Sequence, residues 1–510
     1  MGPVGPRRET QVFKNSQART VLEADGFHST DFNAARAFSS FLPGIAGEYG
    51  KPMWVFYTNR GQCISSFGVR DRNGAMLEFH PANKAYALTP LLGFRTFIRT
   101  ARSGVPVCHE PFQATRDPNV RQRLTIRPHE IELEEIHTAL NLRIQVLYFT
   151  LPNENLPALV RRVTLHNIGA GSLRAAVLDG LPQIVPFGLE EKLLKQMSRT
   201  MEAFAEVRHV EQDLPFFKLK VEPSDKPEVA WIDGGFFAFT VHDGRSVPVV
   251  CDPEQVFGTD TSLRTPLAFL ADAGVDAHAG RRDTLTACAL SQLACVLAPG
   301  ACTRWESYYG QAPQWELALT LRQRVVADAH YGTARRNDNS ALIARLGARF
   351  ALLAGPPELD PYSRQAFLDN TLRGGQPVVI DGPRGARVFH TFTRKHGDME
   401  RDYNAFELAP SYWSQGNGNF RDVNQNRRSE NFSYPAINAC NIETFFNLIQ
   451  IDGNNPLVIQ SEKFRLAPGA LDQLMQDWHA GDTPAWHALL AGPSAAWPRP
   501  RPALRAVARG

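Results

Sequence analysis

The densest grouping of side chains able to do chemistry lies between Arg394 and Arg428. It opens with Arg394-Lys-His-Gly-Asp-Met-Glu-Arg-Asp402 and continues as Tyr412-Trp-Ser-Gln-Gly-Asn-Gly-Asn-Phe-Arg-Asp-Val-Asn-Gln-Asn-Arg-Arg428. Aromatics, carboxamides, arginines and aspartates are interleaved with glycines. Binding a polyhydroxylated ring calls for this mixture. An aromatic face covers the apolar side of the ring, a carboxylate accepts paired hydrogen bonds from vicinal hydroxyls, and Asn, Gln and Arg donate. The glycines would let backbone approach a ligand closely. The plainer reading of the same residues is a solvated Asn/Gly-rich loop pinned by an Arg–Asp pair, because Asn and Gly are ordinary turn residues.

The elements that must position this cluster change character along the chain. From Val55 to Tyr309 the pattern is β. Ile131-Glu-Leu-Glu-Glu-Ile136 and Leu142-Arg-Ile-Gln-Val-Leu-Tyr-Phe149 open with period-two alternation. Phe216-Phe-Lys-Leu-Lys-Val221 and Phe236-Phe-Ala-Phe-Thr-Val241 are rich in aromatic and β-branched residues. Turn signals at Asn167-Ile-Gly-Ala-Gly171, Asp233-Gly-Gly235 and Asp243-Gly244 separate them. Many strands in one stretch predict a large antiparallel β-sandwich. Near Pro313 the period becomes helical: Leu342, Leu346, Phe350 and Leu353 share one face. Asp360 and Pro361 read as an N-cap and first helical residue, and Gly374-Gly375 as the stop. Residues 441–450 read as another helix, with Gly453 just beyond it. The predicted organisation is an N-terminal extension (1–54), a β-sandwich (55–312), linker helices (313–355), a helical region (356–496) and a Pro/Arg-rich tail (497–510). For that tail, disorder is one reading and a reading-frame artefact the other.

Composition narrows the partners. A formal charge of +3 over 510 residues lacks the broad positive field of a nucleic-acid binder. Seven cysteines (63, 108, 251, 288, 295, 302 and 440) are irregularly spaced with no C-x-x-C, which argues against a disulfide framework or zinc ribbon. Free thiols in a reducing compartment are expected. No secretory signal or apolar run of membrane-spanning length is read, so a cytoplasmic location away from membranes is the default expectation.

Standard motifs fail on spacing or context. The histidines of His129-Glu-Ile-Glu-Leu-Glu-Glu-Ile-His137 are eight apart in an alternating strand, whereas a helical zinc motif needs them four apart. Gly416-Asn-Gly-Asn-Phe-Arg421 begins like a dinucleotide fingerprint but has Arg421 where the third glycine belongs. No Walker A or G-x-S-x-G string occurs.

Gly418-Asn-Phe-Arg-Asp-Val-Asn-Gln-Asn426 resembles the glycine-x-phenylalanine-arginine-aspartate signature of family 94 glycoside phosphorylases. The fuller string from Tyr412 to Arg428 more closely resembles the β-1,3-glucan phosphorylases of families 149 and 161. Supporting segments include Leu178-Asp-Gly-Leu-Pro182, Phe367-Leu-Asp-Asn-Thr-Leu-Arg-Gly-Gly375 and Asp452-Gly-Asn-Asn-Pro456. The resemblance implies a multidomain β + α protein: a large antiparallel β-sandwich, linker helices and an (α/α)6 barrel, here incomplete. It implies that Arg421 and Asp422 hold the non-reducing glucosyl unit, with Gln415, Asn417 and Asn419 beside them. Trp413 or Tyr412 could stack on a sugar, core packing being the equal alternative. The disaccharide-specific enzymes carry a further arginine just before the Arg–Asp pair, and residues 414–418 contain none. Arg394, His396 and Arg401 are the candidates to meet phosphate in its place, with surface ion pairing as the alternative.

The implied reaction is inverting phosphorolysis. One carboxylic acid protonates the leaving oxygen, and phosphate attacks the anomeric carbon from the opposite face, giving α-glucose 1-phosphate and a shortened glucan. Phosphate needs a basic clamp more than a base. No metal or organic cofactor is implied; the expected partners are a β-glucan oligosaccharide and inorganic phosphate, with a homodimer left open. The clan's acid sits in a motif resembling Gly-Asp-Trp-Asn-Asp-Gly, and no such string occurs among the 510 residues. Twelve barrel helices need on the order of 300 residues, and 160 follow Phe350. The catalytic acid is therefore expected beyond residue 510, with this polypeptide inactive alone or completed by a partner. The alternatives are a noncatalytic carbohydrate-binding protein on the same fold and, with less support, the phosphorylase-like module of a cyclic-glucan-synthesising enzyme.

Overall fold

The structure is a computed structural model. It describes residues 19–461 except 24, 103, 225, 272–274, 351–355, 382–384 and 397–404. The tail at 497–510, Leu353 and Arg401 lie outside the described residues.

The β-patterned stretch forms three antiparallel sheets. The largest has 11 strands and runs in space from Thr20–Glu23 and Gly26–Thr30 through Val120–Arg127, Glu130–His137, Leu142–Thr150 and Ala158–Asn167. It continues through Cys302–Ala312 and Gly235–His242 to Phe216–Leu219 and Ala205–Arg208, with Arg245–Val247 pairing Gly235–His242 off this path. A five-stranded sheet orders Val249–Val250, Ala289–Leu297, Leu173–Leu181, Arg95–Arg102 and Val105–His109. A four-stranded sheet holds Ser39–Phe41, Trp54–Thr58, Ile64–Gly68 and Ala75–Leu77. One core joins all three: Ile131, Leu133, Ile144 and Val163 from the first, Ile98, Val177 and Leu293 from the second, Val55, Ile64 and Phe67 from the third. The Asp243-Gly244 signal makes a two-residue hairpin with φ of 49° and 70°, the left-handed pair that matches strand twist. Residues 20–41, expected as part of an extension, instead contribute three strands to these sheets. One of them, Gly26–Thr30, pairs with a strand almost 100 residues downstream, as Phe27 does with Ile126, which local pattern does not reveal.

Strict two-residue alternation overrides hydrophobicity in Glu130–His137. Ile131 and Leu133 face the core, and the same phase carries Glu135 inward while Ile136 is only half-buried. Glu135 is satisfied there: it contacts His109 Nε2 at 2.5 Å and accepts from the Phe112 amide at 2.6 Å and Gln122 Nε2 at 2.9 Å. A second buried polar set ties the two larger sheets together. Arg161 donates to Asp179 at 2.6 Å and to Gln62 at 2.7 Å, and also to Tyr148. Trp305 Nε1 and Thr96 Oγ1 donate to the same Asp179 carboxylate at 3.0 and 2.6 Å. The carboxylate holds the Arg161 pKa above its ordinary value despite complete burial.

Helices Trp315–Ala327 and Tyr331–Gly347 lie on the outer face of the large sheet. Ala318, Leu321, Val325 and Tyr331 pack on Phe149, Val160, Phe237 and Tyr308. Arg336 fixes the second helix by a two-armed bond to Glu130 at 2.6 and 2.7 Å. That helix ends at Gly347, so Phe350 falls beyond it and stacks on Phe367 at 5.6 Å, while Leu342 and Leu346 are buried as the spacing predicts. The next helix is Leu359–Gly374. Asp360 lies within its first turn and bonds Arg364 at 3.2 Å, so it is not the N-cap; Glu358 occupies that position. Gly375 ends the helix at φ 94° with its amide on Thr371 O. A hairpin (Gln376–Ile380 with Arg387–Thr391) and helices Phe420–Arg427, Glu430–Ser433 and Cys440–Asn447 follow. The architecture is thus β-layered first and helical afterwards. The described helices do not by themselves define an (α/α)6 barrel. No helix among the described residues is long and apolar enough to cross a membrane.

Candidate functional site

The Arg387–Thr391 strand delivers the chain into a seam between the β layers and the helices. Residues 392–396 run there between two neighbours. Phe392 N donates to Trp413 O, Gly416 N donates to Thr393 O, and Lys395 and Glu407 exchange backbone bonds at 2.9 and 2.8 Å. Thr393 Oγ1 closes the clasp on Gly416 O at 2.6 Å. Backbone on both sides thereby fixes where Arg394 and His396 project.

These two side chains line one cleft of about 160 Å³. Its β-side wall is Ser40, Phe41, Leu42, Pro43 and Trp54; its helical wall includes Gln365, Asp369, Leu372 and Arg373. Phe406, Glu407 and Leu408 complete it. Arg394 is 7% exposed. One of its terminal nitrogens donates to Pro43 O, while among the described residues Nε and the other terminal nitrogen have no hydrogen-bond partner. Burial lowers its pKa to about 10, with Asp369 opposing the shift. His396 Nε2 is shut from solvent and also has no hydrogen-bond partner. Burial, then the charges of Arg373 and Arg394, lower its pKa to about 4, against a smaller opposite pull from Asp369. At neutral pH the site therefore presents a guanidinium and a neutral imidazole. The Arg394 donors, shielded from water and unmatched among the described residues, are costly, and an oxyanion would match them.

The glycine-x-phenylalanine-arginine-aspartate turn adjoins this pair through backbone. Asn419 Nδ2 donates to His396 O and to Asp422 Oδ2, both at 3.1 Å. Asp422 sits in the first turn of Phe420–Arg427, where a carboxylate suits the helix dipole. Arg421 points to solvent, 82% exposed, and among the described residues touches only the edge of Asp422 at 3.4 Å. Asn417 Oδ1 accepts from the Ser461 amide at 3.0 Å. Gln415 is buried with Oε1 lacking a partner, as is the Ser414 hydroxyl. Trp413 is half-buried at φ 64° and donates its amide to Glu48 O, and Tyr412 donates its hydroxyl to Asn155 at 2.9 Å. Arg394, His396, Asn419 and Asp422 are thus linked into one unit. Arg421 stands on its outer side, and Asn417 and Gln415 lie in the irregular segment just before the Gly418–Asn419 strand.

Gly418 has a reason other than ligand approach: a Cβ there would lie 2.4 Å from Val423 Cγ2. Sequence reasoning missed Asp369 and Arg373. Their one-turn spacing on a helix, within a segment that supports the resemblance, is the signal that marks them. It also missed the wall from residues 40–54. Elsewhere, Glu23, Asp25 and His28 offer three metal-ligand atoms, but the carboxylates are exposed and His28 is already bonded to Asp25 and Thr125.

No protein-family model matches the chain, and no curated protein does. Among solved structures it is similar to a polysaccharide lyase (12% identity, TM-score 0.29, covering 52% of this chain and 32% of that one). It is similar to a protein assigned as a kojibiose phosphorylase from the human microbiome (6%, TM-score 0.25, 70% and 33%). A third likeness is to a protein assigned as an aldose 1-epimerase from Klebsiella pneumoniae (10%, TM-score 0.26, 61% and 95%). The chain spans about a third of the length of the first two. At these TM-scores the likenesses carry no argument about fold or chemistry.

Proposed function

We propose that this chain provides the sugar- and phosphate-recognition part of an inverting β-glucan phosphorylase, with β-1,3-linked glucan as its substrate. One observation carries the reading: a buried, incompletely bonded Arg394 lines a cleft that adjoins the Asn419–Asp422 turn. In this reading Arg394 and His396 hold inorganic phosphate by charge-assisted and neutral hydrogen bonds. Asp422, Asn419, Asn417 and Gln415 contact the hydroxyls of the terminal glucosyl unit, and Arg421 swings in from solvent to close over it. Trp413 supplies an apolar face. A phosphate oxygen forms a bond to the anomeric carbon while the glycosidic C–O bond breaks. The departing oxygen takes a proton from a carboxylic acid, which the resemblance assigns to a motif absent from these residues. The product is α-glucose 1-phosphate.

Calorimetric titration tests the reading without requiring turnover. The 510-residue protein should bind inorganic phosphate and a β-1,3-gluco-oligosaccharide. Arg394→Gln should abolish phosphate binding and spare glucan, while Asp422→Asn should weaken glucan about tenfold, the order expected for losing one charged hydrogen bond. Failure of the unmodified protein to bind phosphate, or indifference to Arg394→Gln, overturns the proposal. Glucan binding with no phosphate response would leave the noncatalytic carbohydrate-binding reading.

A further inference from the structure

We infer that Arg373 is the second guanidinium of the cleft's anion site and that Asp369 is the residue that positions it. This rests on reading the cleft as a phosphate site. Asp369 and Arg373 lie one turn apart on Leu359–Gly374, and both line the cleft with Arg394 and His396. Arg373 Nε meets Asp369 Oδ2 at 2.9 Å. That bond engages the Nε edge of the guanidinium, and among the described residues its terminal nitrogens make no further hydrogen bond, so in this assignment they are the groups that meet the ligand. The helix ends at the next residue, Gly374, and Gly375 turns the chain away. Arg373 therefore projects from the last turn, at the cleft rim, while Arg394 lies at its buried end.

Charge accounting supports the same assignment. Arg373, Arg394 and Lys395 line the cleft against Asp369 and Glu407, with His396 neutral. Asp369 is the nearby carboxylate that Arg394 senses, yet it is bonded to Arg373. Among the described residues Arg394 is left short of an anion, and a tetrahedral oxyanion between the two guanidiniums would complete both. Arginine forks match such an anion in pairs of parallel hydrogen bonds. The shared chemistry is a phosphate group, either free or as the phosphate of a glycosyl phosphate.

The experiment titrates inorganic phosphate, α-glucose 1-phosphate and glucose separately into the 510-residue protein and its Arg373→Gln, Arg373→Lys and Asp369→Asn variants. Arg373→Gln should weaken phosphate at least tenfold, and Arg373→Lys should recover only part of the loss because an ammonium cannot reproduce the fork. Asp369→Asn is decisive. It removes a negative charge from the cleft, so a site acting through net charge would bind phosphate more tightly. A site that needs Arg373 held in place would bind about threefold more weakly. Glucose should be indifferent to all three, and α-glucose 1-phosphate should follow inorganic phosphate if the phosphate group is what is recognised. Arg373 is 37% exposed and its pair with Asp369 is an i,i+4 surface contact, which contributes little to stability, so the variants should fold. Phosphate binding that depends on Arg394 but not on Arg373, or that tightens in Asp369→Asn, overturns this inference and leaves the proposed function standing. No phosphate binding by the unmodified protein sinks both.

Discussion

Two buried arginines divide the molecule by purpose. Arg161 lies between the sheets with a carboxylate, a carboxamide, a threonine and a tyrosine around it. Arg394 lies at the seam with a single carbonyl bond and two unmatched nitrogens. The first has its pKa raised by Asp179, and the second has its own lowered by burial. A desolvated guanidinium is tolerated inside a fold when its partners travel with it. At the seam those partners are missing among the described residues, and in the proposed reading a phosphate supplies them.

The largest way to break this contrast is Asp179→Asn. It strips Arg161 of its counter-charge and should destabilise the protein by about 3–5 kcal/mol, read as a shift in the urea midpoint at constant slope. Arg394→Met should do the reverse. Removing a buried, unmatched charge should stabilise the phosphate-free protein by about 1 kcal/mol, after loss of the carbonyl bond is allowed for. The same variant should lose the rise in melting temperature that phosphate gives the unmodified protein. Equal destabilisation by both variants would erase the distinction between the two arginines.

A smaller effect concerns His396. Its folded pKa of about 4 lies below the ordinary 6.5, so the unfolded chain takes up the proton first. Stability from this group is complete above about pH 6.5 and is lost as pH falls toward 4. His396→Gln should flatten that slope relative to the unmodified protein. Bound phosphate, by placing negative charge beside the ring, should flatten it too; melting curves across pH 4–7 with and without phosphate read both. The smallest effect is expected from Asn419→Ala, a few-fold loss in glucan affinity through a looser Asp422, measured by the same titration.

Much of the β region was legible because period two is a local property. The strands at Glu130–His137, Leu142–Thr150 and Gly235–His242 contain the segments that alternation and β-branching marked. The exchange of Glu135 inward for Ile136 was not legible, because His109, Phe112 and Gln122, which make it tolerable, come from elsewhere in the chain. Leu342 and Leu346 could be read from helical spacing, whereas the cap at Asp360 could not. The helix starts two residues earlier, and Asp360 is taken by Arg364. In the site, residue types pointed to Arg394 and His396, but their burial depends on a wall drawn from residues 40–54 and on a helix twenty residues upstream. Arg421 shows the converse: the motif singles it out, and the structure leaves it in solvent.

The Pro43 carbonyl that receives Arg394 is separated from it by 351 residues of sequence. The cleft is therefore a property of the folded whole and cannot be carried by the helical region alone. Trimming the chain at residue 55, where sequence pattern suggests a boundary, would delete Ser40, Phe41, Pro43 and Trp54 and leave a three-sided trough. Conversely, exchanging the first 54 residues among homologous chains would transplant one face of the binding site while the charged face stayed in place. In the proposed reading, selectivity for what lies beside the anion could then drift through changes at the N-terminus, with Arg394 and Arg373 themselves unchanged.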